Sequence, residues 1–478
     1  MKLIKPVTVL LGISVFLLVS CVKERDYTQF YKLEVAEKGN VQVVGRSTGR
    51  PPMPSIGVSK MLVVPVEFVD GPEWTPTMLE NLEKTFFGET EDTYWESLKS
   101  FYQKSSFGKL NIEGELLPVM KSDVTVYDYR NGNSASYINL FAEPLHNSLD
   151  SEFLKQYDAD SDGFVDAVSF IYSNDYYADS EFWAWVSQMG SGTPNKNKPV
   201  FNNHMWCSYK FVNNGSTKFW NDSHTLIHET GHLLGLEDLY DYDYSGASPA
   251  GAIDMMDNNV VDHNVINKWM LGWNKPYVVT GDARISLKPS QESGEFIIVN
   301  DLWNGSQMDE YIAIEYYTPT GLNEKDSEAK YLGAYPKGYD IPGIKIYHAD
   351  FRVARYSRDM GNWSTVKEPV ELSDIATGAR FDFYTSNTVS FNRDKKVNDG
   401  YKMTRLMQPS GKDTLVSSKV PPIGNRNLWQ ADGTIFNPSS ENIHFTNGTN
   451  FNNGKVFGYE IEVISITDEE AVIEIRKI

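Results

Sequence analysis

An α+β chain is what this sequence predicts, in two parts. Over roughly residues 59–278, apolar strand-like runs alternate with helical patterns, which places strands and helices in one unit. From 279 to 478, short alternating runs punctuated by Gly, Asn and Pro suggest a β-rich, sandwich-like region. The length points the same way, because 478 residues exceed what one ordinary core organises.

The elements follow in order. Residues 1–20, MKLIKPVTVLLGISVFLLVS, carry Lys2 and Lys5 and then an apolar run from Val7 to Val19, which reads as a secretion signal. Leu18-Val19-Ser20-Cys21 resembles a bacterial lipobox, which implies cleavage before Cys21 and a lipid on its thiol. The only other cysteine, Cys207, then has no partner in the chain and is expected as a buried thiol. Residues 21–58 are polar, end in Gly and Pro, and read as a tether or short pro-like segment. MLVVPVEFVD (61–70) reads as a buried strand. TPTMLENLEKTFFG (75–88) has helical spacing, a Thr cap and a Gly stop. Residues 93–116 read as helix, a turn at Gly108, then strand; AVSFIYS (167–173) is a further strand. The aromatic stretch 176–189 reads as packed core or loop, with a cleft wall as the alternative. SHTLIHETGHLLG (223–235) reads as a helix stopped by Gly235.

Charge excludes one class of partner. A formal net charge of −20 repels phosphates, so nucleic acid is not expected. Excess carboxylate suits a protein that holds divalent cations outside the cytoplasm.

The chemistry concentrates at HETGHLLGLED (228–238). The chain has eight histidines, and two of them, His228 and His232, stand four apart on one helical face, where both can grip one zinc ion. Glu229 projects beside that pair and is placed to act as a general base on water. Gly235 permits a left-handed return bend, after which Asp238 can supply the third ligand. Glu237, Asp241 and Asp243 are rival carboxylates. His224/His228 is a rival pair with the same spacing, but it carries Thr225 where the base should be. A second cation site is suggested by YDADSDGFVDAV (157–168). Asp158, Asp160, Asp162 and Asp166 surround a Gly163 turn, and with the Phe164 carbonyl they could bind calcium structurally; the strand that follows departs from an EF-hand. His348 with Asp350 could hold a further ion, although a structural pair is the simpler reading, and His263 could approach the cleft.

His228, Glu229, His232, Gly235 and Asp238 match HExxHxxGxxD, the extended zinc motif of the metzincins with aspartate as third ligand. The continuation through Tyr240, together with MLVVPVEFVD, SFYQKSSFGKLNIEGEL and AIDMMDNN with HNVINKWMLGW, resembles the immune-inhibitor-A-type secreted bacterial metalloproteases over about residues 60–275. That resemblance implies a zincin fold for 59–278, a twisted mixed sheet plus active-site helix, and a zinc-dependent endopeptidase in which a water on zinc attacks the peptide bond with Glu229 as base. It also implies a Met-turn with Met256 beneath the zinc, Met255 being the rival, and a calcium loop. With the lipobox, a lipid-anchored protein of the bacterial cell envelope is expected, acting on proteins or glycoproteins and touching membrane through its lipid alone. A surface lipoprotein for adhesion or for glycan or protein binding, and a zinc hydrolase of non-protein substrates, are the alternatives.

Overall fold

A computed structural model describes residues 25–33, 53–131, 134–176, 182–189, 193–215, 220–241, 248–305, 307, 309–330, 335–351, 355–357, 380–382, 387, 401–411, 415, 423–437 and 450–478. The leader, Cys21 and Asp243 lie outside these residues. No helix among those described is long and apolar enough to cross a membrane.

The stretch expected as a tether needs correction. Its residues Thr28–Lys32 form strand β1, which lies antiparallel on a strand of the second sheet, and Arg25 pairs with Asp282 at 3.0 Å. TQFYK is short and mostly polar, so only its distant partner makes it a strand. Further along, Met53 donates its N–H to Leu233 O at 2.9 Å at the end of the helix that carries the histidines.

The first sheet comprises β2 (Gly57–Glu67), β3 (Leu110–Leu116), β4 (Met120–Lys121), β5 (Ala167–Tyr172), β6 (Trp185–Gln188) and β7 (Asn203–Ser208), in the order β3-β2-β5-β7-β6 with β4 also on β2. All pairs are parallel except β6 on β7, so an antiparallel strand closes one edge. The inner strands β5 and β7 are buried along their whole length; AVSFIY of β5 is mostly apolar and reads as a strand, whereas NHMWCS of β7 carries no long apolar run and is a strand only through its pairing with β5 and β6. Helix Pro76–Phe87 starts on Thr75, whose side chain accepts from Met78 N at 3.2 Å, and stops at Gly88. Helix Leu98–Ser105 begins with a capping box between Ser97 and Ser100.

The second sheet comprises β8 (Tyr277–Leu287), β9 (Phe296–Val299), β10 (Glu310–Tyr317), β11 (Gly343–Asp350), β14 (Thr404–Met407), β15 (Ile435–Phe436), β16 (Tyr459–Ile466) and β17 (Ala471–Lys477), joined by β1; β12 (Arg355–Ser357) and β13 (Arg380–Asp382) form a separate ribbon. The expected sandwich is therefore one continuous nine-stranded sheet that curls. The reason lies in β8. Its residues Tyr277–Val279 pair with β9, and its residues Ala283–Leu287 pair with β17. One long strand thus feeds two halves of the sheet, which enclose a core of Ile312, Ile314, Ile346, Ile461, Ile473 and Ile475.

Alternation along β9, β10 and β11 joins the two parts of the chain. Ile297, Ile312 and Ile314 face that inner core, while Phe296, Ile298, Tyr311, Ala313, Tyr347 and Ala349 face the other way, into a core shared with Met256, Trp269 and Leu234 of the first part. Both faces are buried, and Glu310, Glu315, Lys345, His348 and Asp350 are buried among the apolar residues of EYIAIEYY and GIKIYHAD. The second sheet is consequently part of the wall that backs the histidine helix.

Candidate metal centre

The helix His224–Leu233 starts where Asp222 Oδ1 accepts from His224 N at 3.1 Å. It ends in a bend at Gly235 (φ +97°), with Leu236 N donating to Gly231 O at 2.9 Å. That bend returns the chain so that Asp238 Oδ1 lies 3.1 Å from both His228 Nε2 and His232 Nε2. The two imidazoles stand nearly perpendicular, with centroids 4.8 Å apart. Each is fixed from behind: His228 Nδ1–H donates to Met255 O and His232 Nδ1–H to Leu236 O, both at 2.8 Å. In the neutral rings these bonds place the proton on Nδ1 and leave the lone pair of each Nε2 turned inward.

The residues fit a zinc ion. Tetrahedral zinc with bonds of 2.0–2.1 Å has ligand atoms about 3.3 Å apart, close to the spacing here. Electrostatics agree. Burial opposes charge on His228, yet Asp238 and then Glu229 raise the ring to about 9. Burial likewise opposes a charged Asp238, but His232 and His228 hold it well below the usual carboxylate range. The trio favours positive charge at its centre. Glu229, buried at the wall of the same cleft, stands beside it.

The rival ligands are used elsewhere. Asp241 forms a buried ion pair with Lys402 at 2.6 Å, and the converging ligand atoms do not include Glu237. His224 turns away: its Nδ1 lies 2.7 Å from Asp222 and its Nε2 3.3 Å from Asp326, and its ring stacks on Trp95 at 4.2 Å. Burial disfavours its charge, but Asp326 and Asp222 raise it to about 9, making a buried imidazolium clasp between the two parts of the chain. His263 packs among Phe101, Tyr102 and Trp273, and burial pushes it well below its ordinary value. His348 is committed to Glu310 at 2.8 Å, and Asp350 accepts from Asn452.

Beneath the helix lies the segment Asp254–Asn264. Asp254 caps the short helix Met255–Asn258 through Met256 N and also accepts from Asn264 N and Nδ2. Met255 offers its carbonyl to His228, while the Met256 thioether rests against Gly231. A Cβ at Gly231 would lie 2.4 Å from Met256 Sδ, so glycine is what lets the sulfur approach between the two histidine turns. Leu239 N donates to Met256 O at 2.8 Å, tying the ligand loop to this segment.

In the acidic loop, carboxylate oxygens of Asp158, Asp160 and Asp166 lie within 4.8 Å of one another. Asp158 accepts from Asp162 N and Gly163 N, and Asp166 from Lys60 N and Ala159 N. Asp162 does not join this group. Its carboxylate caps Phe164 N at 2.8 Å, a local Asx turn that spacing alone does not distinguish from a ligand. Phe164 itself bridges to Val200. Burial, with repulsion from Asp160 and Asp158, lifts Asp166 to about 7.

The cleft beside the metal donors measures about 370 Å³. Sequence reading missed several of its lining residues: Tyr240, Phe211 and, from the second part of the chain, Tyr335. It also missed Asn387 and Lys402, which clasp the ligand loop: Asn387 Nδ2 donates to Leu239 O at 2.6 Å. No short-range pattern marks these residues, because their partners are far away in the chain. Of the aromatic stretch, Phe182 is core while Trp183 and Trp185 line the cleft; residues 177–181 are outside the described set. No family model matches this chain, and no curated protein matches it.

Proposed function

We propose that the protein is a zinc-dependent endopeptidase with a metzincin-like centre, similar to the immune-inhibitor-A-type enzymes. The observation that carries this reading is the convergence of His228 Nε2, His232 Nε2 and Asp238 Oδ1 beside the buried Glu229 in an open cleft. His228, His232 and Asp238 would hold the ion, and the Met256 sulfur would support the floor beneath them. Bound zinc supplies Lewis-acid chemistry, acidifying water and polarising a carbonyl. Glu229 takes the proton from the attacking water and delivers it to the departing amine. The backbone carbonyls of Met255 and Leu236 keep both imidazoles in the tautomer the site requires. The loop at 158–166 is read as a structural calcium site, and Cys21 as the lipid-bearing residue that anchors the enzyme outside the cytoplasm.

Purified zinc-loaded protein is tested on a diverse peptide library beside Glu229→Gln. Cleavage that chelators abolish, and that the variant loses by at least about a hundredfold while keeping its zinc, supports the reading. Wild-type turnover by a zinc-replete Glu229→Gln protein would overturn the assigned base.

A further inference from the structure

The cleft has an aromatic end that proton transfer does not explain. Thr225, Val186, Ala184, Trp183 and Phe211 line the same cleft as the metal donors. Tyr176 joins them: its ring stacks on Phe211 at 4.4 Å and meets Trp183 edge-on at 4.9 Å, while Trp183 meets Phe211 at 5.1 Å. Three chain segments supply these rings, the residues after β5, those before β6, and the short helix Tyr209–Val212. Tyr176 and Trp183 are each 38% exposed, whereas neighbouring Tyr172 and Trp206 are wholly buried. Partly exposed rings packed against one another at the wall of a cleft present apolar faces that gain when a ligand displaces water from them.

We propose that Tyr176, Trp183 and Phe211 form a seat for a large apolar or aromatic side chain of the substrate polypeptide, close to the bond that is cut. This rests on the peptidase reading. Ala184 and Val186, close in sequence to Trp183 and in the same lining, add apolar surface without hydrogen-bonding side chains, which suits a hydrocarbon group.

The test uses zinc-loaded full-length protein and fluorogenic peptides that differ at one position flanking the cleaved bond, Phe, Leu, Ala or Asp, with one further peptide bearing an O-linked sugar there. The Phe and Leu peptides should exceed the Ala peptide in kcat/KM by at least about tenfold. In Trp183→Ala and in Phe211→Leu, each checked for zinc content and melting temperature, that ratio should collapse towards one. Tyr127→Ala, which removes an exposed ring outside the cleft lining, should preserve it. A Phe/Ala ratio unchanged in both seat variants would overturn the seat, as would a wild-type preference for the glycosylated peptide that those variants lose. Failure of the wild type to cut any peptide would remove the peptidase reading itself, and the seat with it.

Discussion

Replacing Lys402 by methionine tests how far the second part of the chain holds the metal loop together. Lys402 reaches 161 residues back to Asp241 at 2.6 Å, and the two side chains are 4% and 1% exposed. Its ammonium also donates to Asn387 O at 3.0 Å, and Asn387 in turn holds Leu239 O, next to Asp238. Removing one member of a buried pair typically costs about 3–5 kcal/mol, because a carboxylate is left without its cation. Denaturant unfolding of zinc-loaded Lys402→Met against wild type, followed by tryptophan fluorescence, reads this directly. Lys402→Met combined with Asp241→Leu should recover most of the loss. A deficit under about 1 kcal/mol would refute the argument.

Three further outcomes are expected. In the calcium-free protein, Asp166 is raised from 3.8 to about 7, first by burial, so the folded state holds a proton that the unfolded state has already released. Stability should therefore fall as pH rises from about 4 to 7, by an amount on the order of 4 kcal/mol. Added calcium should raise the melting temperature more at pH 8 than at pH 5.5; calorimetry showing no calcium effect at pH 8 would count against the loop as a cation site. Gly163→Ala should destabilise by about 1–3 kcal/mol, since Gly163 sits at φ +96° and a Cβ there would lie 2.7 Å from Asn195 N; unchanged thermal unfolding would contradict this. Asp326→Asn should lower the melting temperature by weakening the His224 clasp, with zinc stoichiometry retained, as read by calorimetry and metal analysis.

The parts of the molecule that were legible in the sequence are those set by local periodicity. Two histidines four apart share a helix face, and Gly235 turns the chain so that Asp238 meets them. The runs in β10 and β11 were legible as strands, but not that one face would pack behind the histidine helix. β1 was hidden because five mostly polar residues gain strand character only by pairing with β8. Asp162 was indistinguishable from its neighbours because an Asx turn and a ligand position use the same residue. Lys402, Asn387, Asp326 and Tyr335 are set by tertiary approach, and nothing in their own neighbourhoods announces it.

The most direct test of the central claim is zinc K-edge absorption and anomalous diffraction on zinc-loaded protein. One zinc per chain is predicted, bonded at about 2.0–2.1 Å to two imidazole nitrogens and one carboxylate oxygen from His228, His232 and Asp238. Zinc absent at stoichiometric loading, or bound elsewhere with these three side chains uncoordinated, would contradict it.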